Sequence, residues 1–380
     1  MTILSSLHIA LLLGVALAVM GCAANPSLGP SEWTQFRGDP RHTGVAGSAH
    51  PIKRPDMVWS FDTGGVVEST PTVVGDTLYV GTFNNHLFAL DAETGEERWR
   101  FEVGGLLRAS PSVWNGTVYF GADDDTFYAV DAKTGAQRWS FPLGPGGEQS
   151  SPAIAEGTVV FGAFDHNVYA LDARTGEERW RYATGGGMLS SPAIAEGLVL
   201  IGSMDQRLHA MDLATGEPRW TYDTAAVTFS SPAITEGLAI IGSDDHSVHA
   251  VRLDDGAPVW KTTTDERVFS SPAIIDGHAY VGSYDSHLYA LRVRDGAIVW
   301  KTDLHGPVLG SPAVTDESVY VGSTDGRLYA LRRADGAVRW THEVGQRVWS
   351  SPTVRESWIW FGSHTGRIEA LRDANDSDPR

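Results

Sequence analysis

The octapeptide SSPAIAEG stands at residues 150–157 and again at 190–197, and SSPAITEG follows at 230–237. Its proline recurs through most of the 380-residue chain at six intervals of forty residues and one of forty-one, as Pro71, Pro111, Pro152, Pro192, Pro232, Pro272, Pro312 and Pro352. A glycine ten residues after each proline keeps the same spacing. A fixed period near forty residues is typical of a solenoid or a propeller.

Each repeat divides into four predicted β-strands. Within residues 187–223 they are MLSSPAI, LVLIGS, RLHAMDL and PRWTYDT, separated by turns such as AEG and ATGE. Second strands such as TVVFG and LVLIG are apolar throughout, so both faces of each sheet must be covered. Proline cannot donate to a β-ladder, which predicts that the first strand is an edge strand facing a central channel. Repeated four-stranded antiparallel units around an axis predict a β-propeller.

The number of strands predicts how the ring closes. The eighth repeat, from about residue 347, ends after its third strand, and the segment MVWSFDT at 57–63 can supply the missing fourth. Sharing one sheet between both chain ends would leave no open edge. We therefore expect an all-β, eight-bladed propeller over residues 32–373, with four-stranded antiparallel blades, an N-terminal strand completing the last blade, and a C-terminal tail at 374–380.

The third and fourth strands carry a recurring tryptophan motif. ALDAETGEERW (89–99), AVDAKTGAQRW (129–139), ALDARTGEERW (170–180) and AMDLATGEPRW (210–220) look like the tryptophan-docking motif of PQQ-type β-propeller repeats. The resemblance implies that the indole packs against a glycine peptide of a neighbouring blade. It assigns a structural docking role to Trp59, Trp99, Trp139, Trp180, Trp220, Trp260, Trp300 and Trp340.

Later repeats depart from this motif at its polar positions. The aspartate after the alanine becomes Arg252, Arg292, Arg332 and Arg372, and the threonine becomes Asp255, Asp295 and Asp335. The alanine, glycine and tryptophan persist in repeats five to seven while the polar positions drift, as expected if the motif is structural. The segment WTQFRGDPRHTGV (33–45) resembles the N-terminal lead-in of the same family. It is expected to pack across the base, the edge of the ring formed by the AEG and TG turns.

The N-terminus carries a predicted export signal. An apolar run from Ile9 to Met20 leads into VMGC, whose Cys22 is the single cysteine of the chain. Such a run suits a signal-peptide core and is short for a membrane span. The VMGC sequence resembles a bacterial lipobox, which implies a signal peptide at 1–21, lipidation of Cys22 and a tether at 22–31. Plain secretion and an uncleaved anchor are the alternatives.

The formal net charge of −18 limits the possible partners. An acidic surface repels phosphate backbones, so we expect no nucleic-acid partner. The charge serves solubility or faces a basic partner surface. Because there is one cysteine, an intrachain disulfide and a thiolate metal cluster are both excluded.

Positions that vary between repeats are the candidates for function. The residue three before each proline is expected to lie at the mouth of the channel, which is the edge of the ring opposite the base. These residues are Glu68, Arg108, Gln149, Leu189, Phe229, Phe269, Leu309 and Trp349. They form either a binding surface for a partner segment or the rim of a plugged, partly wet channel. An acid or amide follows each second strand in seven repeats, and we expect it to cap the turn.

No catalytic pattern is evident. The thirteen histidines show no HExxH spacing, and no GxSxG elbow is present. Quinoprotein dehydrogenases have propellers of this kind, and that resemblance implies a quinone and a Glu, Asn and Asp set on calcium. No recognisable set of this kind stands out, and the vicinal cysteine pair is missing. We therefore predict no catalytic residue, no metal site, no cofactor and no enzymatic activity.

Length, repeat type and the lipobox together resemble the BamB family of outer-membrane assembly lipoproteins. The resemblance implies a monomeric scaffold that binds a protein partner, the β-barrel assembly machinery, and a membrane through its lipid anchor. It also implies a place in the cell envelope, on the periplasmic side of the outer membrane. The alternatives are a binding or sensing lipoprotein of the same repeat class with an unknown ligand, and a quinoprotein dehydrogenase.

Overall fold

A computed structural model of the chain describes residues 33–46, 52–146 and 150–374. These residues form eight four-stranded antiparallel sheets, the blades, in which the strands follow one another from the channel outwards. No described residue is α-helical, and no described helix could cross a membrane. The signal peptide, Cys22 and the tether at 22–31 lie outside the described residues.

The strands have nearly the same length in every blade. The first strands, from blade 1 to blade 8, are Thr72–Val74, Ser112–Trp114, Ala153–Ala155, Ala193–Ala195, Ala233–Thr235, Ala273–Ile275, Ala313–Val314 and Thr353–Arg355. The second strands are Thr77–Gly81, Thr117–Ala122, Thr158–Gly162, Leu198–Gly202, Leu238–Ser243, His278–Gly282, Ser318–Gly322 and Trp358–Gly362. The third strands are His86–Asp91, Thr126–Asp131, Asn167–Asp172, Arg207–Asp212, Ser247–Arg252, His287–Arg292, Arg327–Arg332 and Arg367–Asp373. The fourth strands are Glu97–Glu102, Gln137–Pro142, Glu178–Ala183, Pro218–Asp223, Pro258–Thr263, Ile298–Asp303, Val338–Glu343 and, in blade 8, Pro55–Asp62.

The eighth blade confirms the predicted closure. Its fourth strand, Pro55–Asp62, pairs antiparallel with Arg367–Asp373, and Trp59 lies opposite Ala370. Blade 8 then joins blade 1 at the channel, where the Ser350 hydroxyl donates to the Ser69 carbonyl at 3.0 Å. The ring therefore has eight blades, and both ends of the propeller segment meet in one sheet.

The first strands are shorter than predicted. The stretch MLSSPAI was expected to be one strand, but pairing in blade 4 starts at Ala193, after the proline. Pro192 has no N–H to give to the second strand, and the preceding Ser191 N–H donates instead to Ser231 Oγ of blade 5 at 2.8 Å. The prediction failed because the serine bonds between blades rather than within its own sheet.

That serine bond recurs around the channel. The N–H of the residue before the proline donates to the hydroxyl of the equivalent serine in the next blade, over 2.8–3.0 Å, in the pairs 70–110, 110–151, 151–191, 191–231, 231–271, 271–311 and 311–351. In several blades the other serine of the SSP motif accepts the N–H of the repeat glycine, as Ser190 Oγ does from Gly202 at 3.0 Å. The repeated octapeptide is thus a belt of hydrogen bonds that joins neighbouring blades.

Each ladder tryptophan joins two blades at the outer side of the ring. The Trp99 indole N–H donates to the Ala132 carbonyl of blade 2 at 3.1 Å, and a Cβ added to Gly135 would lie 2.8 Å from the ring. The equivalent glycine contact recurs for every ladder tryptophan except Trp340. Trp340 meets the closing blade, which lacks that turn, and donates to the Ile52 carbonyl at 2.7 Å. Trp59 and Trp180 are buried, and the other six are half-buried.

The drift of the polar positions of the motif follows a pattern. In blades 1–4 the motif aspartate pairs with the arginine before the tryptophan, as Asp91 does with Arg98 at 2.7 Å. In blades 5–7 the arginine has moved to the first position and pairs with the new aspartate of the turn, as Arg292 does with Asp295 at 2.9 Å. Both arrangements hold an ion pair over the same turn, so the substitutions are coupled.

The channel is crossed by the plug, residues 33–46. In blades 1–7 the second residue of the first strand donates its N–H to an acceptor of the plug, over 2.6–3.2 Å. The donors are Val73, Val113, Ile154, Ile194, Ile234, Ile274 and Val314, and the acceptors are the carbonyls of Trp33, Thr34, Pro40, Arg41, Thr43 and Gly44 and the Gln35 side chain. The plug therefore supplies acceptors that the inner edges of seven sheets need once water is excluded.

Two buried side chains of the plug serve the proline carbonyls. The fully buried Arg37 guanidinium donates to the carbonyls of Pro312 and Pro272, at 2.5 and 3.0 Å. Burial lowers the pKa of Arg37 to about 9, and the charge of Asp39 opposes the shift. His42 Nδ1 lies 3.2 Å from the Pro232 carbonyl. Burial, reinforced by the charge of Arg37, lowers the pKa of His42 to about 3, so its imidazole is neutral.

We expect Gly216→Ala to destabilise the protein by about 1–3 kcal/mol more than Gly197→Ala, because a Cβ at residue 216 overpacks the Trp180 ring. The Cβ would lie 2.6 Å from that ring, whereas nothing lies within 4 Å of a Cβ on Gly197. Both glycines have φ of +73°, so the backbone strain of alanine is matched. Denaturant unfolding of both variants measures the difference. Equal losses would show that the indole–glycine contact adds nothing to stability.

Acid should loosen the plug through His42. An unfolded histidine binds a proton near pH 6.5, whereas His42 stays neutral until about pH 3, so stability falls as the pH drops between these values. From pH 7.5 to pH 5 this linkage costs about 2 kcal/mol. In His42→Gln that part of the pH dependence should disappear, and the exposed His246→Gln is the matched control. Unfolding curves at both pH values decide; identical pH dependence in all three proteins would contradict the assignment.

Candidate functional site

The mouth lies at the edge of the ring where a connector leads into each first strand. Of the eight predicted mouth residues, Gln149 lies outside the described residues. Arg108 is exposed, and Glu68, Leu189, Phe229, Phe269 and Trp349 are half-buried. Leu309 is buried, with 8% of its surface exposed, so it contributes little to the open surface.

An aromatic arc, formed by Phe229, Phe269 and Tyr284, covers the mouth at blades 5 and 6. The ring centroids of Phe229 and Phe269 are 5.1 Å apart, and those of Phe269 and Tyr284 are 6.5 Å apart. The Arg267 guanidinium lies 4.5 Å from the Tyr284 centroid and 3.8 Å from Asp244 Oδ2. Burial raises the pKa of Asp244, which Arg267 opposes. The arc is thus an apolar surface with one basic and one acidic group beside it.

A second cluster, Glu68, Trp349 and His364, lies at the junction of blades 8 and 1. The Trp349 and His364 rings meet edge to face with centroids 4.9 Å apart. His364 Nε2 is 3.1 Å from Glu68 Oε1, but the two atoms are not aligned for a hydrogen bond. Burial raises the pKa of Glu68 and lowers that of His364, so both shifts favour the uncharged forms. The buried Trp349 Nε1 has no hydrogen-bond partner within the described chain.

Arg108 contacts two residues of the turns at the edge of the mouth. Its Nε lies 3.0 Å from Asp123 Oδ2, and its guanidinium lies 4.7 Å from the Phe83 ring centroid. Both partners belong to turns that follow second strands, in blades 2 and 1. Arg108 is therefore already paired at the rim, and a ligand would have to compete with Asp123 for it.

The acids that follow the second strands hold the connectors in place. Asp205 Oδ2 accepts the Gly185 N–H at 2.9 Å and lies 3.0 Å from His209 Nε2. Asp285 likewise accepts the Asp265 N–H at 3.0 Å and the Tyr289 hydroxyl at 2.6 Å. These contacts reach beyond the turn that we expected them to cap. They fix the incoming connector, and through it the mouth residue that the connector carries.

Sequence reasoning missed half of the mouth. Tyr284, His364, Asp244, Asp123 and Phe83 all stand two residues after the repeat glycine, and each contacts a residue of the connectors. The residue at this position varies from blade to blade, just as the residue three before the proline does. Variation between repeats is therefore a sequence signal for both positions, but the sequence does not show that their side chains are in contact.

A quinone bound together with calcium would need a set of oxygen donors close together at the mouth. Of the mouth carboxylates described above, Glu68 and Asp244 belong to blades 1 and 5, on opposite sides of the eight-membered ring, and Asp123 of blade 2 is already paired with Arg108. Across residues 33–46, 52–146 and 150–374, no group of three or more His, Cys, Asp or Glu side chains is placed to hold a metal ion. The described residues therefore do not fit a calcium–quinone pair.

Two family models match the chain. The model described as "Beta-alanine-activating enzyme, beta-propeller" matches residues 48–279, more than half of the chain. The model described as "Outer membrane protein assembly factor BamB" matches residues 224–378. The chain belongs to the PQQ-like β-propeller family. No curated protein sequence matches it.

Solved structures share the fold at low sequence identity. BamB from Moraxella catarrhalis is 18% identical with a TM-score of 0.72, over 84% of this chain and 99% of that one. Quinohemoprotein alcohol dehydrogenase from Comamonas testosteroni is 15% identical with a TM-score of 0.80, over 92% and 82%. The computationally designed protein Ika8 is 14% identical with a TM-score of 0.76, over 83% and 99%. A non-natural protein in this group illustrates that the fold alone does not decide function.

Proposed function

We propose that the chain is a non-enzymatic, lipid-anchored scaffold that binds a protein partner at the mouth of its channel. The most specific form of this proposal is an accessory factor in outer-membrane β-barrel assembly, similar to BamB. In this form the protein is a monomer, attached through Cys22 to the periplasmic side of the outer membrane. The lipobox-like VMGC sequence supports the anchor, and the match of an assembly-factor model to residues 224–378 supports the class of partner.

The aromatic arc carries the binding part of the proposal. Phe229 and Phe269 are half-buried side chains on neighbouring connectors, Tyr284 is a half-buried side chain of the adjoining turn, and Arg267 lies against the Tyr284 ring. Aromatic residues and arginine are enriched among the residues that contribute most to protein interfaces. The plug crosses the channel, so a partner that approaches the mouth would meet a surface rather than an open pore.

The proposal is tested by recovering partners from outer membranes. In the double variant Phe229→Glu/Phe269→Glu, two charges stand where a partner would bury apolar rings, and recovery of a β-barrel insertase should fall about tenfold or more. The control is Arg207→Glu, which changes an exposed residue at the same edge of the ring but outside the arc. Quantitative pull-down from detergent-solubilised outer membranes measures the effect.

Two outcomes would contradict the proposal. If the double variant recovers as much insertase as the parent chain does, the arc is not part of the interface. If the parent chain itself recovers no insertase, the protein has no role in β-barrel assembly. Incubation with the quinone and calcium, followed by dye reduction with alcohols, tests the dehydrogenase alternative. Turnover in that assay would overturn the non-enzymatic assignment.

A further inference from the structure

The fourth strand of every blade has a β-bulge next to its tryptophan. In blade 1 the pairing skips Arg98, because Trp99 pairs with Ala89 and Glu97 with Leu90. In blade 8 it skips Val58 in the same way. The bulge leaves two consecutive side chains at the outer rim of the base, next to the turn between the third and fourth strands. In blades 1–4 these pairs are Glu97–Arg98, Gln137–Arg138, Glu178–Arg179 and Pro218–Arg219.

In blades 5–8 the same positions are largely apolar. The apolar rim consists of Val259, Ile298, Val299, Val338, Met57 and Val58, which are 42–56% exposed. These six are the exposed large hydrophobic side chains of the described residues, and all of them lie on the outer strands of four consecutive blades. Single exposed apolar residues need no explanation, but such a one-sided arrangement marks an interaction surface.

The ion pairs of the turns explain why the bulge of blade 6 does not need an arginine. In blades 1–4 the arginine of the bulge is bound by the motif aspartate, for example Arg179 by Asp172 at 2.8 Å. In blade 6 the pair Arg292–Asp295 lies entirely within the turn and does not need a bulge residue. Val299 is thereby released from that role. Nothing in its own blade buries it, so packing does not account for a valine at this position.

The charge of the outer rim follows the same division. In blades 1–4 the turns and bulges hold ten acidic and six basic residues, over 91–98, 131–138, 172–179 and 212–219. In blades 5–8 they hold six acidic and nine basic residues, over 252–259, 292–299, 332–339, 372–374 and 53–58. The apolar rim is thus the basic part of the outer rim on a chain whose net charge is −18. Apolar and basic residues together suit the surface of an anionic bilayer.

A groove between blades 6 and 7 offers donors beside the apolar rim. It has a volume of about 330 Å3 and is lined by Val299, Tyr280, Arg333 and Arg339, among others. Arg333 pairs with Asp276 at 2.8 Å, but its Nη1 is buried without a hydrogen-bond partner within the described chain, and so is Nε of Arg339. Both guanidinium groups are partly exposed in the groove, so an anionic headgroup at this edge would meet positive charge.

The described part of the chain begins on the base side of the channel. Trp33, the first described residue, bonds to Val73 one residue before the first base turn. Ten residues separate Cys22 from Trp33, so the anchor can be at most about 35–40 Å away. An anchor within this distance can reach a membrane on the base side, where the apolar rim and its charge lie.

We propose that the apolar rim of blades 5–8 rests on the surface of a bilayer that contains anionic lipid. The inference rests on the lipid anchor of the proposed function and adds the orientation of the ring. The base then faces the membrane at blades 5–8, blades 1–4 are raised away from it, and the mouth is turned toward the partner. One anchor and one interfacial surface together fix an orientation that neither fixes alone.

Single labelled cysteines test this orientation. Ile298→Cys and Val338→Cys place a thiol at the first bulge position of the apolar rim, and Gln137→Cys places it at the equivalent position of blade 2. The full chain, processed in Gram-negative cells, is labelled with the fluorophore NBD and reconstituted in phosphatidylethanolamine–phosphatidylglycerol vesicles. Doxyl-labelled lipid should quench the dyes at 298 and 338 about twofold, because an interfacial surface lies at headgroup depth. The dye at 137 should be unaffected.

The outcomes separate the two proposals. Cys22 is the single native cysteine, and a lipidated thiol cannot react, so a parent chain that takes up dye shows that the anchor is missing and overturns both proposals. Suppose instead that the parent chain takes up no dye, and that lipid quenches the dyes at 298, 338 and 137 equally or not at all. This result overturns the orientation alone. Fluorescence at 298 and 338 that shifts with protein concentration, without quenching by lipid, would assign the apolar rim to a second copy of the chain.

Discussion

The structure depends on how the inner edges of its first strands satisfy their backbone polar groups. Each blade has an outer edge strand that faces solvent and a short inner edge strand that faces a narrow channel, where an unpaired N–H or carbonyl is costly. The chain meets this demand position by position. Proline removes one donor, the serine before it binds across to the next blade, and the plug accepts the N–H two residues later. The repeated SSP motif and the plug are therefore parts of one solution.

Much of this architecture could be predicted from the sequence. The period, the apolar second strands and the spacing of the tryptophans are local signals, and they gave the correct number of blades and the correct closure through Trp59. The limits of the first strands could not be predicted in the same way. Ser191 has the composition of a strand residue, but its partner, Ser231, lies in another sheet. The sequence of one repeat does not show which of its residues form hydrogen bonds with another repeat.

The rest of the molecule depends on contacts between distant residues. Arg37 looks like a surface arginine in the sequence, yet it binds two proline carbonyls more than two hundred residues away. Likewise, the exchange of aspartate for arginine in blades 5–7 looked like loss of the motif until both partners of each pair were placed. At the mouth, Phe269 was found by its spacing, but Tyr284 and Arg267 complete the surface only once the connector is folded against the turn.

The plug also sets an order of events during folding. Residues 33–46 precede all of the blades in the sequence, but their acceptors serve strands that extend to Val314, so the segment has no complete set of partners until most of the blades exist. Contacts of such wide sequence separation form late and slow the final step of folding. Until then Arg37 and His42 lack the proline carbonyls that they meet in the folded ring. Completion of the plug therefore requires all of the first seven blades.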